Sequence, residues 1–299
     1  MKYLEGINPA ILTLFNEDYS VDYGAMKALL DFLMDAKVNG VYVCGTTGEF
    51  PFLTVEERKK IAETVIDYVN GRITVYIHIG GIKTEEAVDL AKHAYAYGAD
   101  GIGALSPYYY AYSEDELFQY FYKIAHSVPE DFPVYLYNIP QRTGNRIDPS
   151  LFSKLIESCP NIVGIKDSSG SFTTVIEYLL LARDRKIMII EGADEQILGG
   201  LSVGCKGSIS GNANVFPEVF VRLWKEFREN KLEDARNTQL DIAKIVSVLK
   251  YGNIPLIKYA LKLRGIGNGI CREAFTTILR EERVEKVVEW ARTISSPMT

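Results

Sequence analysis

Eight short runs of β-branched and small apolar residues recur along this chain, each followed by a longer stretch with helical spacing. They are Ile7 to Phe15, Val41 to Cys44, Ile73 to Ile79, Gly101 to Leu105, Val134 to Tyr137, Ile162 to Lys166, Ile187 to Glu191 and Gly207 to Ser210. Most are apolar on both faces, as strands must be when helices cover each side of a parallel sheet. Such alternation builds βαβ units. Eight units occupy residues 1 to about 225, the number and length that close a (β/α)8 TIM barrel. The rival is an open doubly wound sheet, but no strand leads into G-x-G-x-x-G.

The punctuation supports these units. Thr54 with Glu57, and Ser113 with Glu116, fit the capping box of a helix start. Asp148 before Pro149 places a cap residue ahead of proline at the first helical position. Gly98 and Gly204 stand where a helix would end in a left-handed residue before the next strand. Beyond the eighth unit no strand pattern remains, and helices are expected near 231–250, 254–264 and 272–296. No Pro/Ser-rich linker intervenes. The expected organisation is a catalytic barrel over 1–225 with a C-terminal helical extension over 226–299 packed on it.

Composition narrows the function. The net charge is −6 and no Lys/Arg-rich run stands out, so a nucleic-acid partner is not expected. No apolar stretch reaches about 18 residues, so no membrane span is expected. Met1 to Gly6 carries one cation and no apolar core, unlike a signal peptide. The four cysteines are far apart and form no C-x-x-C pair, which argues against a zinc knuckle or a disulfide framework and suggests the cytoplasm. The three histidines, His78, His93 and His126, show no H-x-x-x-H spacing, so no metal site is expected.

A barrel does its chemistry where strands end, which makes the strand ends a short list. The sixth run closes on Lys166. A lysine is rarely buried without a partner or a task; facing a pocket, it can act as an amine nucleophile on a carbonyl. From this segment alone it fits equally well a strand leaving the core into water. Gly45-Thr46-Thr47-Gly48-Glu49 follows the second run. Two glycines around two hydroxyls suit a small anion, although a tight turn has the same composition. Tyr108, Tyr109, Tyr110 and Tyr112 follow the fourth run and suit lids or subunit interfaces. Tyr137 ends the fifth and can relay protons. Arg142, just beyond, offers a fork for a carboxylate but reads as well as half of a surface ion pair. Gly192-Ala193-Asp194-Glu195 and Ser208 to Asn214 can line a polar pocket, while Asp194 and Glu195 also suit a helix start.

Together, G-T-T-G-E at 45–49, P-Y-Y at 107–109, Y-N-I-P at 137–140, G-I-K-D at 164–167 and the helical tail resemble the family of dihydrodipicolinate synthase and N-acetylneuraminate lyase, pyruvate-handling class I aldolases on a (β/α)8 barrel. The resemblance implies that Lys166 forms an imine with the keto carbon of pyruvate, with no metal or other cofactor. It implies that Tyr137 relays protons and that Thr46 and Thr47 bind the pyruvate carboxylate, with Thr47 extending the relay. Tyr109 would complete that relay from a neighbouring subunit, which implies a homo-oligomer, usually a dimer of dimers (a homotetramer). Gly192 and Ile209 would line the pyruvate pocket, with Asp194 beside them.

For the second substrate the resemblance divides. Arg142 in Q-R-T-G is similar to the synthase branch, where it holds the carboxylate of aspartate semialdehyde. Asp167-Ser168-Ser169-Gly170, Gly192-Ala193-Asp194-Glu195 and Cys271-Arg272-Glu273-Ala274-Phe275 are closer to the lyases, and Asn253 to Lys258 matches the synthase N-P-I-P-V-K only in part. The synthase reaction is the first expectation, with an N-acetylneuraminate or 2-keto-3-deoxygluconate aldolase as the alternative. A barrel that binds a keto acid without turnover is more distant.

Overall fold

The computed structural model describes residues 2–272 and 275–295. Among them eight strands form one sheet: β1 (Gly6–Pro9), β2 (Gly40–Val43), β3 (Thr74–His78), β4 (Gly101–Leu105), β5 (Val134–Asn138), β6 (Ile162–Asp167), β7 (Met188–Glu191) and β8 (Gly207–Ser210). All neighbours are parallel, in the order β1-β8-β7-β6-β5-β4-β3-β2. A bridge between Ala10 and Tyr42 joins the two ends, so the sheet closes into the expected barrel.

The barrel interior is filled by large rings set against missing side chains. A Cβ on Gly103 would lie 2.2 Å from the Tyr42 hydroxyl, and one on Gly164 would lie 2.5 Å from the Tyr135 ring. Glycine at these strand positions makes the space that tyrosines of nearby strands occupy. Tyr42, Tyr76 and Tyr135 are each at most 1% exposed and cluster with Leu4, Ile190 and Ile209. The larger apolar core lies outside the barrel, where helices cover the strands.

Both expected capping boxes form, at Thr54/Glu57 and Ser113/Glu116. Asp148 precedes its helix, yet its carboxylate pairs with Arg146 (3.0 Å) and caps nothing. The first strand is shorter than expected. Beyond Pro9, Ala10 N still donates to Ser210 O (2.8 Å) and Ile11 N to Tyr42 O (3.0 Å); the buried chain then leaves the sheet, and Asn214 takes part of its backbone, with Oδ1 accepting from Leu12 N (3.1 Å) and the amide donating to Ala10 O (2.7 Å).

The helix after β8 runs Pro217–Arg228, across the expected 225/226 division. The extension continues with helices Leu232–Val248, Ile254–Leu263 and Glu282–Ser295. The last begins ten residues later than expected because Arg272 is used as a strap. Its amide donates to Glu49 Oε2 (3.0 Å), and its guanidinium reaches Phe52 O (2.6 Å), Tyr19 O (3.0 Å) and Glu57. Of the segment 271–275, residues 273 and 274 lie outside the described residues.

Candidate active site

A cavity of about 610 Å³ opens at the carboxyl ends of the strands, lined by residues from β5 to β8, the loop after β2 and the extension. Lys166 stands in it on β6, directly beside Tyr137 of β5 in the parallel register. The lysine is 5% exposed, so the strand does not carry it out into water. Its Nζ lies 4.0 Å from the Tyr137 ring centroid and 5.4 Å from that of Tyr42. Among the described residues no carboxylate comes within ion-pair distance of this amine. A buried lysine faced by ring surfaces, without a counter-ion, is an unusual and costly arrangement outside a reactive site.

Tyr137 is 3% exposed. Burial pushes its phenol upward, but the adjacent Lys166 charge and the Thr46, Ser168 and Lys166 side chains around its oxygen outweigh that, and the net shift is downward. The Thr46 hydroxyl is buried without a full hydrogen bond of its own. It is therefore free to turn toward the phenol or toward a ligand. Behind this pair, His78 is buried and its Nδ1 lies 3.0 Å from Cys44 O. Burial, aided by the Arg58 charge, drives its imidazole well below the usual range, so it is neutral.

The loop after β2 is shaped from outside. Thr13 Oγ1 donates to Gly48 O (2.7 Å), and Glu49 takes a left-handed backbone (φ +58°) that carries its carboxylate inward to a buried pair with Lys258. Lys258 also donates to Ile270 O (2.9 Å). Thr46 and Thr47 line the cavity, and Thr47 sits where a side chain on Gly211 would be, 2.8 Å from that absent Cβ.

Across the floor, Gly192 is obligatory by contact: a Cβ there would lie 2.1 Å from Ser168 Oγ and 3.0 Å from Lys166 Cε. Glu191 Oε1 holds this loop by accepting from Gly192 N (3.1 Å) and Ala193 N (3.0 Å), and burial pushes its carboxyl up to about 7. Asp194 is buried and lines the cavity. Its Oδ2 accepts from Ser210 Oγ (2.7 Å) and Asn212 Nδ2 (2.8 Å), yet burial raises it to about 6. Glu195 is exposed in the first turn of a short 3-10 helix and also lines the cavity. Ile209, 1% exposed, closes the base.

Arg142 is exposed at the cavity mouth and forms no ion pair among the described residues, contrary to a surface salt bridge. Tyr109 is not brought to the site of its own chain. It is 82% exposed, has φ +83°, and packs edge-on against Tyr110 at 4.9 Å. Sequence reasoning overlooked Ser168 as a lining residue, although its place two residues after Lys166 could have flagged it. It also missed Val246, Tyr251 and Ile254, which the extension brings in and no strand-end rule can find. No helix among the described residues is long and apolar enough to cross a membrane, and none of their His, Cys, Asp and Glu side chains group in threes that could hold a metal ion.

A closed parallel barrel whose strand-end cavity holds a buried lysine beside a tyrosine is that of a carbon–carbon lyase of the aldolase type. The chain belongs to the dihydrodipicolinate synthetase family, whose model matches residues 3–292. It is 36% identical over 271 residues to a probable 2-dehydro-3-deoxy-D-pentonate aldolase, YjhH, of Escherichia coli K12, covering 89% of each chain. It is equally 36% identical to the 4-hydroxy-tetrahydrodipicolinate synthase of Methanosphaerula palustris, covering 90% of this chain and 92% of that one. Among solved structures it is similar to YagE, a prophage protein of the dihydrodipicolinic acid synthase family from E. coli K12 solved in complex with pyruvate. That match has a TM-score of 0.91 and 32% identity, over 98% and 99% of the two chains.

Proposed function

We propose that this enzyme condenses pyruvate with an aldehyde through an imine at Lys166. The observation that carries the reading is the buried, carboxylate-free amine of Lys166 beside Tyr137 in the cavity floor. The amine adds to the keto carbon, and the resulting carbinolamine takes up a proton and loses water, giving an iminium. The iminium draws electrons from the adjacent methyl carbon, which loses a proton to form an enamine. The enamine carbon attacks the aldehyde carbonyl, whose oxygen takes up a proton. Water then hydrolyses the new iminium and releases Lys166. Tyr137 carries protons in these steps, as its downward-shifted phenol suits. Thr46 and Thr47 bind the pyruvate carboxylate, Thr47 extends the relay, and Gly192 and Ile209 shape the pyruvate pocket. The imine serves as electron sink, and the reading assigns no metal or organic cofactor.

The exposed, left-handed Tyr109 suits insertion into a partner's site, so the working form is read as a homo-oligomer, a dimer of dimers. The four cysteines are buried and unpaired, in keeping with the cytoplasm. Residues 226–299 are read as an extension that works as one unit with the barrel.

The first reading of the second substrate is aspartate semialdehyde, its carboxylate held by the unpaired Arg142. A hydroxylated 2-keto-3-deoxy acid, cleaved or formed, is the second reading. Ser168, Asp194 and Glu195 in the cavity lining favour it. Borohydride reduction with pyruvate tests the core of the reading, because a pyruvate-dependent mass gain must map to Lys166. Assays with aspartate semialdehyde against N-acetylneuraminate and 2-keto-3-deoxygluconate then separate the two. Arg142→Ala is expected to cripple the synthase reaction while pyruvate trapping continues. Synthase turnover that survived this change would remove Arg142 from its role.

A further inference from the structure

The cavity has two kinds of lining. The barrel loops supply polar groups, among them Ser168, Gln141, Asp194 and Asn212. The extension supplies Val246, Ile254 and, at the mouth, Tyr251. Tyr251 is unusual in three independent respects. It is 72% exposed. Among the described residues its ring and hydroxyl make no ring contact or hydrogen bond. It also sits in a run of three left-handed residues, with φ of +46° at Lys250, +55° at Tyr251 and +84° at Gly252.

The turn that ends the Leu232–Val248 helix, closed by Tyr251 N donating to Val246 O (2.9 Å), calls for residues such as glycine or asparagine. A tyrosine there is strained and unpacked, a combination that costs stability unless the ring has work to do.

Resting on the second substrate reading above, that of a hydroxylated acceptor, we propose that Tyr251 is a specificity-determining residue for the acceptor. Its ring lies along the C–H face of a hydroxylated carbon chain while the loop side chains take the hydroxyls. A cavity polar on one part and aromatic on another matches the two-sided character of a polyhydroxy aldehyde. The contact is remote from the reacting carbons, so it grows with acceptor length and does not touch imine formation.

The test uses the intact enzyme with saturating pyruvate and three hydroxyaldehydes of increasing length, glycolaldehyde, glyceraldehyde and erythrose. Tyr251→Ala is expected to lose roughly three- to tenfold in kcat/KM with erythrose, chiefly through KM, and less than about twofold with glycolaldehyde. Tyr251→Phe, which keeps the ring, is expected to stay within about twofold throughout. Borohydride trapping of pyruvate at Lys166 and the assembly state are expected to be unchanged in both variants. An equal loss with all three aldehydes, no loss with erythrose, no turnover of any hydroxyaldehyde by the unmodified enzyme, or a changed assembly state would overturn the proposal. Failure of the unmodified enzyme to trap pyruvate would instead strike the Lys166 reading on which it rests.

Discussion

Two tyrosines at the base of the barrel and several polar groups at its mouth are buried alike but held differently. At the base, buried tyrosines have their polar tips paired: Tyr76 donates to Lys2 O (2.8 Å), and the Tyr135 hydroxyl accepts from Leu4 N (3.3 Å). Toward the mouth Thr46 Oγ1, His78 Nε2 and Glu191 Oε2 are buried without a partner, as are the Tyr42 hydroxyl, Asn8 Oδ1 and Ser208 Oγ deeper in the barrel. Unpaired buried groups cost stability. Those that stand at the strand ends, Thr46, His78 and Glu191, are placed where such groups can meet a ligand.

The largest test of that contrast is Lys166→Met. A thioether of similar length fills the same space without an amine, so turnover is expected to fall by roughly 10⁴-fold or more while thermal stability is held or rises. A large loss of Tm would mean that the lysine is structural. Tyr137→Phe should come next, with kcat lower by roughly 10²- to 10³-fold and the melting transition little changed.

Lys258→Met probes a part of the mouth that is structural. It leaves Glu49 buried without its partner and is expected to destabilise by about 3–5 kcal/mol in denaturant titration. Adding Glu49→Leu should restore much of the loss. An unchanged midpoint in the single variant would show that water reaches the pair.

Glu191→Gln tests the raised carboxyls by pH. Burial holds Glu191 at about 7, so between pH 5 and 8 the native state binds more protons than the unfolded chain and stability declines as pH rises. The substitution should remove on the order of 2 kcal/mol of that decline, seen as a flatter plot of unfolding free energy against pH. The smallest effect is expected at the base, where Tyr135→Phe should cost about 1 kcal/mol and leave turnover within about twofold.

Much of this was legible in the chain. Buried parallel strands leave uniformly apolar runs, and seven of the eight were placed within a residue or two of where they form. The first misled because its buried continuation to Phe15 is nearly as apolar as a strand, although it leaves the sheet after Ile11 and the Leu12 amide goes to Asn214. Lys166 and Tyr137 could be found because ionisable residues at the ends of core strands are conspicuous. Ser168 was passed over because a serine after a strand reads as a turn. Tyr251 was invisible for a different reason: a helix-end tyrosine has no pattern until tertiary packing sets it over the cavity. The late start of the last helix was equally hidden, since the strap that Arg272 forms depends on partners such as Glu49, 223 residues away in sequence.

That strap has a consequence for synthesis on the ribosome. The barrel can close once β8 has emerged, but Glu49, which shapes the turn bearing Thr46 and Thr47, must wait for Lys258 and Arg272. A nascent chain halted after the eighth strand would hold its lysine in an unfinished mouth, so competence to bind keto acid is conferred only once the segment bearing Lys258 and Arg272 has been translated.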